Sequence, residues 1–146
     1  MYSWILESKL RKTFDHINAG RYEPVIAVFA PEHEHVFHGD HALGGRRTSM
    51  DLTRRWYARL AAIFPDLKFE IRSIAIEGWP WRTRALVEWR DAFTLPDGTR
   101  GGNQGVHALE IAWGRVRRLE IYCDTAKLSH YLRVIGGEAG AAPITG

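Results

Sequence analysis

The chain has 146 residues, the size of one domain, and sets 20 Lys and Arg against 17 Asp and Glu for a net charge of +3; a chain this long buries about 70% of its unfolded surface, enough for one core without disulfides or metal. Its single cysteine, Cys123, excludes an intrachain disulfide and fits a reducing compartment; the densest basic pairs, Arg46-Arg47, Arg54-Arg55 and the run at 115–118, lie outside any nucleic-acid-binding motif and read as solvated faces. No uncharged stretch approaches the roughly 18 residues that span a membrane, and Glu7 and Asp15 are unlike a signal or transit peptide, so the expectation is a cytoplasmic protein with neither a nucleic-acid nor a membrane partner.

Leu6, Leu10, Phe14 and Ile17 fall at helical spacing over residues 3–18, after Ser3 as N-cap and before Gly20 as stop. Pro24 opens a shorter amphipathic segment through Phe29, closed by Pro31; residues 32–39 read as a strand and 40–47 as a Gly-rich loop. Thr48-Ser49-Met50-Asp51 has the form of a capping box, continued by Leu52, Trp56, Leu60 and Ile63 as one apolar stripe ending at Pro65. The hydrophobic period then drops from about 3.6 to 2, which predicts strands at 67–77, 82–95, 101–113 and 116–124. A short helix over 125–135 stops at Gly136-Gly137. Residues 138–146, rich in Ala and Gly, are expected as a loose tail on one domain spanning 1–137. Helices followed by a run of adjacent antiparallel strands define an α+β class and exclude a βαβ one.

Strand parity then selects the buried face. Ala85, Val87, Trp89 and Phe93, then Leu109, Ile111 and Trp113, then Leu119, Ile121 and Cys123 are all odd-numbered and point inward, which brings Asp91, Asn103 and His107 to the same side. Asp97-Gly98 marks a hairpin. A two-residue loop would pair 91 with 104 and mix the faces, so a three-residue loop or a bulge is expected, with Asp91 opposite Asn103 or Gly105. His107 then stands roughly 7–13 Å from Asp91 at about 3.4 Å per residue, so the two would work through a ligand.

Desolvation by Trp89 and Phe93 would raise the pKa of Asp91 toward the range useful for proton transfer; the alternative is a carboxylate satisfied by Asn103 or an arginine. His107 reads as a second acid/base group, a donor to a substrate carbonyl, or a satisfied core histidine. Asp124, between the last strand and the last helix, is either a pocket carboxylate or an N-cap whose parity points it away. Cys123 is a reactive thiol or a small buried apolar residue. The run His33, His35, His38, Asp40, His41 invites a metal, but His38 takes the opposite strand face from His33 and His35, so no metal site is expected. Trp56, Tyr57, Trp79, Trp81 and Trp89 either wall a pocket for a ring-shaped ligand or pack the core.

This arrangement, with Phe37-His38-Gly39, Gly45-Arg46, Phe64-Pro65-Asp66-Leu67, the Asp91 strand, the Gly114 turn and Tyr122-Cys123-Asp124, resembles the SnoaL-like polyketide cyclase branch of the nuclear transport factor 2-like superfamily over about residues 3–135. The resemblance implies a cone of curved antiparallel sheet capped by the N-terminal helices and enclosing a deep pocket, commonly in homodimers. It also implies activities such as cyclisation, ketosteroid isomerisation, dehydration and epoxide hydrolysis, beside pocket proteins with no known reaction. The epoxide-hydrolase pattern asks for Arg-x-Asp on the third strand and a second inward Asp on the last; this chain has Trp89-Arg90-Asp91 and Ile121, so that chemistry is not expected. The cyclase-like pattern asks for an acid/base carboxylate with polar helpers, which Asp91 or Asp124 with His107 would supply. The expected function is acid/base chemistry on a small hydrophobic carbonyl compound, with no cofactor. Asp91, His107 and Asp124 are the catalytic candidates, and Trp56, Trp89, Asn103, Phe37, His38 and Trp113 the ligand contacts. The rival is a non-catalytic ligand-binding or dimerisation domain of the same fold.

Overall fold

Leu6, Leu10, Phe14 and Ile17 form the buried face of α1 (Tyr2–Asn18) in the computed structural model, which describes residues 1–146. The helix begins just before the expected cap: Met1 occupies the N-cap position, and no side chain caps it. After α2 (Glu23–Ile26), β1 (Phe29–Phe37) and β2 (Gly45–Arg47), Ser49 caps α3 (Met50–Ile63), its hydroxyl accepting from Leu52 N at 3.2 Å. Such a cap contributes about 1 kcal/mol; it lies one residue beyond Thr48, the first residue of the box that the sequence suggested. Four long strands follow, β3 (Lys68–Trp79), β4 (Arg82–Thr94), β5 (Arg100–Ala112) and β6 (Arg115–Cys123), and then α4 (Thr125–Ile135).

The six strands make one sheet in the order β2-β1-β6-β5-β4-β3, antiparallel throughout except where β1 lies parallel to β6. That parallel contact, His35 opposite Leu119, joins segments far apart in the chain, and no local pattern reports it. The β4–β5 hairpin has the even register required by the apolar faces: Asp91 is opposite Asn103, Trp89 opposite Gly105 and Val87 opposite His107. Its loop holds three residues, Pro96 to Gly98, closed by Leu95 N donating to Thr99 O at 2.8 Å, with Gly98 supplying the positive φ of +87°. Inward side chains of the sheet join those of the helices in one core, including Trp56 and Leu60 of α3, Leu128 and Leu132 of α4, and Val87, Trp89, Leu109 and Ile121.

The alternation along β5 stops one residue sooner than the sequence implied. Ala112 pairs with Arg115, and Trp113 and Gly114 are the two turn residues, both at positive φ (+51° and +77°). The primed hairpin turn requires that conformation at both positions. It swings the Trp113 side chain out of the sheet's parity and leaves it 71% exposed.

Residues 138–146, expected to trail loosely, have defined partners. Ala139 in the 3-10 turn Gly137–Gly140 is buried, Gly146 N donates to Arg46 O at 3.1 Å, and Thr48 N donates to Gly146 O at 2.8 Å. Beneath this segment lies Arg47, fully buried and without a carboxylate partner. Its guanidinium donates to the carbonyls of Gly44 (2.9 Å), Gly45 (3.1 Å) and Ile144 (2.7 Å), and through Nε to His35 Nδ1 (3.1 Å). Burial pushes its pKa down to about 10, so it remains a cation solvated by backbone dipoles. At the opposite edge Asn18 plays the part of a strand: its amide donates to Phe69 O at 2.9 Å and accepts from Phe69 N at 2.6 Å. No helix is long and apolar enough to cross a membrane.

Candidate functional site

Between the helices and the inward face of the sheet lies a cavity of about 50 Å3. One water needs about 10–15 Å3 of such space, so the cavity holds a few waters or a small fragment, and a larger guest requires its lining side chains to move. Fifteen of the eighteen lining residues are aliphatic, aromatic or cysteine, two of them tyrosines, and the other three are Asp91, Asn103 and His107. All three were expected there, as were Phe37, Trp56 and Trp89, which also line it.

The three polar residues are not equivalent. Asp91 is partly buried, and its Oδ1 accepts from Asn103 N at 2.7 Å. Burial pushes its pKa up to about 6, against the opposing pull of that hydrogen bond and of the Lys127 charge. The carboxyl therefore changes protonation state near neutrality, as an acid/base group must. His107 is nearly buried; Trp89 Nε1 donates to its Nδ1 at 2.8 Å, and burial pushes its pKa down to about 3. The imidazole stays neutral where Asp91 titrates, and it can take part in a hydrogen bond without holding a charge. Asn103 is spent on the fold: its amide donates to Asp124 O at 2.9 Å and accepts from Gln104 N at 2.8 Å, tying β5 to the start of α4.

Three expected site residues lie outside the cavity. Asp124 is exposed and caps α4, accepting from Lys127 N at 3.1 Å, the alternative its parity had suggested. His38 is exposed, stacks on Tyr122 at 4.6 Å and meets Glu120 Oε2 at 3.1 Å. Trp113 belongs to the β5–β6 turn. The histidine-rich segment is divided among structural duties. His33 donates to Ala30 O and accepts from Thr53 Oγ1, both at 2.7 Å; His35 accepts from Arg47; His41 donates to His38 O at 3.0 Å and accepts from Leu43 N at 3.2 Å. No group of three or more His, Cys, Asp or Glu side chains is arranged to hold a metal ion.

Several lining residues were not singled out as ligand contacts from the sequence. Phe69 and Ile121 share the inward parity of their strands, while Leu128 and Tyr131, one helical turn apart, come from α4. Their signal was the amphipathic period itself, which does not separate a cavity wall from packed core. Cys123 also reaches the cavity, but burial pushes its thiol up to about 12, aided by the charges of Asp91 and Asp124, so it is not a thiolate nucleophile.

Comparison with known proteins agrees with this architecture. TerC, solved co-crystallised with polyporic acid, superposes with a TM-score of 0.73 at 18% identity, covering 86% of this chain and 96% of TerC. A nuclear transport factor 2-like protein of unknown function from Burkholderia pseudomallei K96243 gives a TM-score of 0.74 at 18% identity, covering 90% of this chain and 98% of its own. A protein from Jannaschia sp. CCS1 assigned as a SnoaL-like polyketide cyclase gives 0.71 at 15% identity, covering 90% and 92%. At these identities the likeness is one of fold. No curated protein sequence matches the chain. The sequence profile of the SnoaL-like domain matches residues 10–119, three quarters of the chain, and the chain belongs to that family.

Proposed function

We propose that this SnoaL-like protein is a cofactor-independent acid–base enzyme that moves a proton on a small, largely apolar carbonyl compound, in a cyclisation, isomerisation or dehydration. The observation that carries the reading is Asp91: it is the only carboxylate on a mostly apolar cavity, and burial pushes its pKa up to about 6. Asp91 accepts the proton, the neutral His107 orients the carbonyl, and the aromatic walls exclude water. Polyporic acid in TerC and the cyclase assignment of the Jannaschia protein support a carbonyl-rich guest.

The test is proton exchange. The protein is incubated in deuterated buffer with a panel of small cyclic ketones and 1,3-diketones, and loss of the α-C–H signal is followed by proton NMR. Wild type should accelerate exchange, and Asp91→Asn should lose roughly 10²-fold or more of that acceleration. Binding of the panel with exchange no faster than in buffer rejects the enzyme and leaves a second reading, a ligand-binding domain without turnover. A homodimer formed through the outer sheet face belongs to either reading; Leu86 and Tyr122 are 47% and 45% exposed there, and Leu86→Glu should yield monomers by sedimentation.

A further inference from the structure

An indole N–H can only donate a hydrogen bond. Trp89 Nε1 lies 2.8 Å from His107 Nδ1, so Nδ1 must be the bare nitrogen of the ring. A neutral imidazole carries one proton, and it is thereby placed on Nε2. Protonating the ring would set a second N–H against the indole, and burial independently opposes it. Nε2 itself makes no hydrogen bond within the protein, while His107 lines the cavity.

The surroundings hold this arrangement rigidly. The imidazole is flanked by Phe14, Trp89 and Phe69, with ring centroids at 5.2, 5.7 and 6.2 Å. Trp89 reaches His107 because the residue opposite it on β5 is Gly105, where a Cβ would stand 2.7 Å from the indole Cζ2. Along β5, Asn103, which faces Asp91, is four residues from His107, about 13 Å at roughly 3.3 Å per residue. The two groups therefore start from well-separated backbone positions on the inward face, and a guest meets them at different atoms.

We propose that Trp89 is a positioning residue whose indole fixes His107 in the tautomer that turns a permanent Nε2–H donor into the cavity, so that the site selects compounds that place a carbonyl oxygen on His107. The pairing of this donor with Asp91 rests on the acid–base reading above; the fixed donor does not. A guest lacking an acceptor leaves a buried N–H unpaired, and sites built around such a group discriminate against it strongly.

The experiment uses the whole chain labelled with 15N-histidine. Long-range 1H–15N correlation should show His107 in wild type with Nε2 protonated and Nδ1 bare, unchanged from pH 5 to 8, and Trp89→Phe should show a mixture of tautomers. Binding is read with 2-cyclohexenone and its hydrocarbon isostere 3-methylenecyclohexene. The ketone should bind at least tenfold more tightly to wild type, and that preference should fall in Trp89→Phe in proportion to the fraction of rings that lose the Nε2 proton. A wild-type spectrum with Nδ1 protonated overturns the proposal, whether or not Trp89→Phe folds. Equal affinity of wild type for the two probes overturns it as well. A protein with the fixed donor and the ketone preference but no proton exchange supports this proposal and rejects only the enzymatic reading of Asp91.

Discussion

Replacing Asp91 by Asn separates the consequences of burying this carboxyl from every other titration in the molecule. In the fold its pKa is raised from 3.8 to about 6, chiefly by burial. At about 1.4 kcal/mol per unit, ionising Asp91 in place costs the folded state on the order of 3 kcal/mol relative to the unfolded chain. The folded protein holds the proton more tightly, so between pH 4 and 6 it binds more protons than the unfolded chain, and stability falls as pH rises through that window. Below pH 4 the carboxyl is neutral in both states and costs nothing. Asparagine is close to isosteric, and its Oδ1 can still accept from Asn103 N, the 2.7 Å bond of the native residue. Urea unfolding of wild type and Asp91→Asn at pH 3.5 and pH 8 therefore has a definite expectation: near-equal stability at the acid end, and a variant more stable by about 2–3 kcal/mol at the alkaline end. A difference independent of pH would mean that Asp91 titrates alike in the folded and unfolded chain and is not desolvated by the cavity.

The remaining predictions address the other buried polar groups and one glycine. If Asp91 is the proton acceptor, kcat/KM for exchange rises with pH through an apparent pKa near 6, and this limb is absent in Asp91→Asn. His107 titrates from 6.5 in the unfolded chain to about 3 in the fold; it therefore contributes stability above pH 6.5 that is lost as pH falls toward 3, and His107→Gln should flatten that slope in urea titrations. Ending the chain after Pro143 removes the Ile144 carbonyl from Arg47 and the Gly146 bonds from Arg46 and Thr48, and should lower stability by roughly 1–3 kcal/mol in the same assay. Gly105→Ala drives a methyl into the Tyr122 carbonyl and the Trp89 indole, and should destabilise the protein by roughly 3 kcal/mol or more, seen as a depressed Tm.

Much of the site was legible because the sheet is antiparallel at β4, β5 and β6, where period-2 reasoning applies directly. Asp91, Asn103 and His107 were placed on one face by parity alone, and the register that sets Asp91 against Asn103 followed from refusing to mix the faces. The same rule failed at Trp113, since parity carries no information about where a strand ends and the turn takes over. It also could not say that the Asn103 amide is consumed by Asp124 O and Gln104 N, or that Asp124 turns outward to cap α4. Those outcomes depend on hydrogen-bond partners chosen after the elements pack. Arg47 was missed for a related reason. A sequence shows its charge, whereas only the fold shows that β2, the preceding loop and the last residues supply enough carbonyls to bury it.

The hydrogen bonds made by Asn18 and Gly146 fall on β3 and β2, the first and last strands of an open six-stranded sheet. Unpaired strand borders are templates on which other chains polymerise. Here one border is occupied by a side-chain amide at the end of a helix, and the other by the chain's own last residues, so neither is free along its full length to recruit a foreign strand. Clipping the final residues by a protease would remove more than a few contacts. It would uncover β2 and leave that border of the sheet open to edge-to-edge pairing, so a chain ended after Pro143 should form fibrils sooner than the longer one, before its core measurably unfolds.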